Sequence, residues 1–307
     1  MPNTLAHIGI QGPLNSLLGK GSSPQWMLLG CILPDIPWIL QRLLKLVAGI
    51  DPYTLRLYSL NQASLFFCLF LAAALALVTS RPRQIFLLLS LNSLLHLLID
   101  ATQIKWANGV HLFVPFSWAM LRLDWFWPEH FSCYTATLAG LIFLAFNWQK
   151  IATTDLQIKR PTAGKISIIL CLLLFYGAGP LLFFGPALQA DNHFIRTLMN
   201  THERTGKEIE LDRALFSLQE KSITAFSGET FALRGPLPET SGSLSLQGIF
   251  IDPVTIQTSS YHQHSQFRDK ATYLGIFLVA ALWLYSLIAG TLSRQPRTPH
   301  PQQGVLP

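Results

Sequence analysis

His96 and Asp100 stand four residues apart inside the apolar run QIFLLLSLNSLLHLLIDA. Neutral imidazoles and carboxylates are the donors that Zn²⁺, Mn²⁺ or Fe²⁺ accept. A spacing of four puts both on one face of a helix, and Asn92 extends that face by a turn. His7, Gln11 and Asn15 repeat the spacing near the start of the chain. Asp35, in GCILPDIPWIL, is the only acidic residue before Ile50, and prolines flank it at 34 and 37. Ionisable groups at membrane depth are costly and face partners. Each group also has a plain structural reading. His96 and Asp100 can bond each other as helix glue, His7 can mark a solvated helix start, and Asp35 can cap a helix after Pro34. Convergence of all four would make a divalent-metal site.

The surroundings are those of a membrane protein. Of 307 residues 50% are hydrophobic and 12% charged, against about 25% charged in soluble domains. Mean hydropathy is +0.37. Strong spanning segments are expected at 60–79, 84–101, 131–148, 166–189 and 271–292, each near the ~20 apolar residues a bilayer requires. Segments 4–19 and 26–48 are weaker and proline-broken, giving five to seven membrane helices. The net charge of +6 is topological rather than a nucleic-acid signal, because no basic run carries interleaved aromatics. Arg81 and Arg83, the loop 149–165, and Arg294 and Arg297 fall on one side if each strong segment crosses once. That side is expected to be cytoplasmic, with loops 102–130 and 190–270 outside. The four cysteines are isolated in apolar segments and read as packing residues.

Residues 190–270 differ in kind. Eight Lys/Arg face ten Asp/Glu, and apolar and polar residues alternate between Gly, Pro, Ser and Asp turns. This predicts a small antiparallel β domain, OB-like in size. The expected organisation is a helical membrane domain over 1–189, an extracytoplasmic β domain over 190–270, a last membrane helix over 271–292, and a disordered cytoplasmic tail over 293–307. His262 and His264 share one face of a strand, as a metal clip without an evident third ligand or as a polar strand end. The loop 102–130 is aromatic, with Trp106, Trp118, Trp125 and Trp127 among its members. Headgroup anchoring is the ordinary role of such residues. Lying above the site, they would also mark where a lipid-linked substrate gains access.

The segments MPNTLAHIGIQGPL, LLGCILPDIPWI and HLLIDATQIKWANGVHLFVPFSW resemble the YdjM-like family of inner-membrane metal-dependent hydrolases over roughly residues 1–120. His7, Asp35, His96 and Asp100 sit on the family's motif positions, and Gly109, Pro115 and Phe116 match the segment that follows. The chain departs from the family between these motifs. A His-Arg-Gly-x-Thr-His-Ser-like motif is replaced by LRLYSLNQASLFF, which has no histidine and only Ser64 in common. His111 is a candidate substitute, or else a solvent-exposed loop histidine.

The resemblance implies a metal-dependent hydrolase of the bacterial inner membrane, with its site toward the periplasm. The metal ligands would be His7, His96 and Asp35 or Asp100. The other aspartate, or His111, would orient a ligand or act as general base. Zinc is the expected ion, with manganese or iron as alternatives, and the substrate would be an ester or phosphoester, lipid-linked in one version. A different class of function is a non-enzymatic membrane scaffold whose outer β domain binds a partner or envelope component.

Overall fold

The computed structural model describes residues 3–18, 23–46 and 49–292, the last four of these by backbone alone. The segment expected to be a cytoplasmic tail, 293–307, lies outside the described residues.

Prolines and short polar residues set the helix boundaries. Helix α1 (Thr4–Leu18) is followed by α2 (Pro24–Gly30) and α3 (Ile36–Leu44). A 3₁₀ turn over Leu33–Asp35 separates α2 from α3. Pro34 has no N–H to continue the helix there. Next come α4 (Pro52–Gln62), capped by Asp51 through Thr54 N at 2.7 Å, and α5 (Leu65–Leu77). Helices α6 (Pro82–Ala101), α7 (Phe131–Thr153) and α8 (Ala163–Ala178) complete the main bundle. Pro24, Pro52 and Pro82 occupy first turns, where a missing N–H costs nothing.

Among the described residues, five helical stretches are long and apolar enough to cross a bilayer: Pro24–Leu44, Pro82–Ala101, Phe131–Thr153, Ala163–Gln189 and Phe267–Ile288. A sixth counts if α4 and α5 form one broken span, since they are bent by 67°. The expectation for 60–79 is thereby corrected. It is not a straight span: α5 is one arm of a bent pair with α4, broken beside Ser64. Conversely, 26–48 ranks among the long apolar stretches despite its break. Helix α1 has 15 residues, short of a full span, and its Leu5 and Ile8 are buried against the other helices. Helix α8 leaves Leu170, Leu174 and Phe175 exposed, a surface that suits hydrocarbon better than water.

Helices α1 and α7 approach unusually closely. A Cβ on Gly9 would lie 2.0 Å from Ala136 O, and one on Gly140 would lie 2.0 Å from Leu5 O. Only glycine at both positions permits this contact, a small-residue packing of the kind membrane helices also use.

Helices α9 (Phe184–Gln189) and α10 (Ile195–Met199) lead into the β domain. Short helical turns run as far as Glu203, so the strands begin only at Glu208, inside the expected 190–270 domain. The strands are β1 (Glu208–Ser217), β2 (Ser222–Thr224), β3 (Thr230–Arg234), β4 (Gly242–Asp252) and β5 (Thr255–Gln263). They close a barrel in the order β1-β2-β3-β5-β4. Neighbouring pairs are antiparallel except β3–β5, which is parallel, so the domain is not wholly antiparallel. Alternation in β1 buries Ile209 and Leu211, which meet Phe231, Leu246, Phe250 and Ile256 in the barrel core. A bulge between Leu211 and Ala214 then turns Asp212 and Arg213 toward the helices. The chain returns through α11 (Phe267–Leu292), which starts four residues earlier than expected.

Candidate metal centre

The break between α2 and α3 organises the site. In a continuous helix Asp35 N–H would bond Cys31 O. Here it bonds Ile32 O at 2.8 Å, and the freed Cys31 carbonyl meets His96 Nδ1 at 2.6 Å. A carbonyl can only accept, so Nδ1 carries the proton and Nε2 of the neutral ring keeps its lone pair. Such a contact fixes the tautomer of metal-ligating histidines. The same break places Asp35 at the start of α3 with no side-chain capping bond, which removes the capping reading.

The two polar stripes face each other. Asn15 and Asn92 exchange side-chain amide hydrogen bonds at 2.8 and 3.2 Å, which registers α1 against α6. One turn higher, Gln11 Nε2 lies 3.4 Å from His7 Nδ1. The His7 and His96 rings stack in parallel, with centroids 3.7 Å apart. His7 is fully buried, so it is not a solvated helix start.

The donor atoms then converge. His7 Nε2 lies 3.3 Å from Asp100 Oδ1, His96 Nε2 3.6 Å from Asp35 Oδ1, and His96 Nε2 3.9 Å from Asp100 Oδ2. His7, His96 and Asp100 each offer a ligand atom within 4.8 Å of the others. His7 Nε2, His96 Nε2 and Asp100 Oδ1 are buried without a hydrogen-bond partner. Unsatisfied polar atoms of this kind are expensive. Four donors around an ion with bonds near 2.1 Å stand roughly 3.4 Å apart, so these separations suit a small divalent cation. The chemistry of the donor set fits as well, since two carboxylates balance two positive charges.

Lys105 was not foreseen from the sequence. It is 4% exposed, and its Nζ lies 3.3 Å from Asp100 Oδ2. The only signal was a lone cation five residues beyond Asp100. His111 lies outside the ligand cluster, and it is not solvent-exposed. It is buried, with neither ring nitrogen hydrogen-bonded. Burial pushes its pKa down to about 4, so the ring is neutral. It faces Asp100 across a cavity of about 20 Å³, enough for one water. Ser64 is buried at the α4–α5 break with its Oγ unpartnered. Cys31, Cys68 and Cys133 are buried as expected of packing residues, whereas Cys171 is exposed.

A second cluster supplies the third group missing from the pair His262 and His264. Glu129 meets His262 Nε2 at 3.1 Å and His264 Nδ1 at 3.2 Å. Arg213, lifted by the β1 bulge, reaches the same carboxylate at 3.3 Å. Trp127 stacks on His262, and Ser245 Oγ lies 2.8 Å from His264 Nε2. Burial opposes ionisation of Glu129, but the histidine hydrogen bonds and the Arg213 charge outweigh it and hold the carboxyl well below its usual range. Each donor here already has a protein partner, unlike those of the first cluster. The group fastens loop 102–130 to the barrel. Asn108 with Asp212 at 3.0 Å and Arg122 with Glu210 at 2.9 Å add to that attachment.

No family model, curated protein or solved structure matches the chain. The YdjM-like resemblance thus rests on its motif residues.

Proposed function

We propose that the chain is a membrane-embedded metal-dependent hydrolase of an ester or phosphoester, with its site in the outer leaflet of a bacterial inner membrane. The observation that carries this reading is the convergence of three buried, unpartnered donor atoms on His7, His96 and Asp100. His7, His96 and Asp100 would hold the ion, and Asp35 would close the set from the α2–α3 break. A divalent ion in that position, zinc first by its donors and manganese or iron otherwise, polarises a carbonyl or phosphoryl oxygen and acidifies water. With neutral histidines, the two carboxylates, Lys105 and a divalent ion sum to one positive charge, which favours an anionic substrate. His111 is a neutral proton acceptor across a water-sized cavity from Asp100. The positive-inside pattern supports an outer barrel, and the barrel's five strands and closed order support an OB-like label.

A non-enzymatic scaffold is the second reading, favoured by one observation. Lys105 already supplies Asp100 with a cation. Metal analysis of the purified protein separates the two. The hydrolase reading expects about one ion per chain, lost in His96→Ala while helical circular dichroism is kept, because a helix in lipid keeps its backbone bonds without that side chain. Wild type without stoichiometric metal, together with a His96→Ala variant that only melts earlier, would leave the centre as helix glue and favour the scaffold.

A further inference from the structure

A cleft of about 320 Å³ runs between α3 and α11, and Asp35 is among the residues that line it. Ile39, Leu43, Leu46 and Ile276 line it with hydrocarbon. Leu43 and Leu46 are 57% and 84% exposed, so the cleft opens sideways through apolar side chains. Two guanidiniums, Arg42 and Arg268, also line it. Arg42 Nη1 donates to Tyr273 Oη at 2.8 Å, which holds the guanidinium beside the opening. Arg268 is 12% exposed, its buried Nε has no hydrogen-bond partner, and its nearest carboxylate, on Asp269, stands 3.8 Å away. Asp35 is the single acidic residue among the lining side chains.

We infer that this cleft binds an anionic phospholipid, with its phosphate between Arg42 and Arg268 and an acyl chain along Ile39, Leu43 and Ile276. Guanidinium forks suit phosphate oxygens, and an incompletely paired fork at the rim of an apolar cleft lacks the anion that would satisfy it. A soluble phosphate would leave the apolar walls without an occupant. A neutral lipid would leave the guanidiniums unpaired. Volumes of this order are those of ordinary ligand pockets. The assignment rests on the hydrolase reading only in making this lipid the substrate, because Asp35 both lines the cleft and lies 3.6 Å from His96 Nε2. It also moves substrate access from the aromatic loop 102–130, which is pinned to the barrel, to the gap between α3 and α11.

The test is native mass spectrometry of the full chain in dodecylmaltoside micelles doped with dioleoylphosphatidic acid or dioleoylphosphatidylcholine. Wild type is expected to retain one phosphatidic acid with a preference of about tenfold or more over phosphatidylcholine. Arg42→Ala with Arg268→Ala should abolish that preference. Ile276→Trp, which fills the cleft and leaves both arginines, should also lose the lipid. Arg81→Ala with Arg83→Ala, an exposed pair at the start of α6, should retain it. Equal retention of the two lipids by wild type, an unchanged preference in both cleft variants, or equal binding of glycerol 3-phosphate overturns the assignment. Metal content measured on the same samples keeps the two readings apart. Metal without lipid preference sinks the phospholipid site alone, and lipid preference without metal upholds the site while removing the hydrolase.

Discussion

Asp35 and Lys105 act on the centre with opposite charge. Lys105 stabilises the Asp100 carboxylate and repels a divalent ion, whereas Asp35 attracts one. Lys105→Met is therefore expected to tighten metal binding, seen as a chelator midpoint shifted upward by about tenfold at 25 °C. Asp35→Asn is expected to weaken it by about 10–100-fold, the usual loss when a carboxylate at a metal site is neutralised. If Lys105 is instead the sole counter-ion of a metal-free Asp100, its replacement costs ~3–5 kcal/mol of stability and changes no metal content. Chelator titration and thermal melting of the two variants decide. Helical spacing and the cost of burying charge brought His7, Asp35, His96 and Asp100 forward from the sequence alone. Lys105 was not legible in that way, because a lysine just past an apolar helix ordinarily extends to the interface. Glu129 and His262 are 133 residues apart, and no local pattern announces their pairing.

Elements hold these residues at distances that side chains alone cannot set. The glycine contact of α1 with α7 fixes where His7 sits, and the Asn15–Asn92 pair fixes its height on α6. Gly9→Val is expected to force the two helices apart, because its Cβ would meet backbone at 2.0 Å, which no rotamer can relieve. A cost of roughly 1–3 kcal/mol or more follows from such overpacking, with loss of bound metal as His7 leaves Asp100. Gly164→Ala, whose Cβ would meet nothing within 4 Å, should change neither. A Gly9→Val protein with wild-type melting and metal content would show that α1 does not position the site. Apolar length predicted most of the helices, and alternation predicted the strands. The 67° bend beside Ser64 and the parallel β3–β5 pair were not predicted, since both are set by what lies across the fold rather than along the segment.

At the scale of the whole molecule, the barrel is tied to the helices by chain at both ends and by ionic contacts to loop 102–130. These contacts make its attachment sensitive to acid. Burial holds His111 near pKa 4 and pushes His264 below its ordinary 6.5, partly offset by Glu129, so both rings are neutral in the folded protein at neutral pH. The unfolded chain takes up those protons near pH 6.5, so stability is full above that value and declines as the pH falls below it. For His111 the decline amounts to about 3 kcal/mol by pH 4. Glu129 lies below its usual carboxylate range, so its contribution is present above about pH 4.5 and is lost as acid protonates it. Melting temperature is thus expected to be level from pH 8 to 7 and to fall in two stages, first between pH 6.5 and 4.5 and then more steeply below. His111→Gln should flatten the first stage, and Glu129→Gln should weaken the second. Cysteine crosslinking of Asn108→Cys to Asp212→Cys would report on the attachment itself. Under a thiol oxidant at pH 7.5 it should form readily and hold the barrel in place, raising the melting temperature at pH 5 more than at pH 7.5. Equal stabilisation at both pH values, with a wild-type melting temperature that does not change from pH 7.5 to 5, would mean that the barrel is held by its covalent connections and apolar contacts and that the histidine–glutamate group does not govern its attachment.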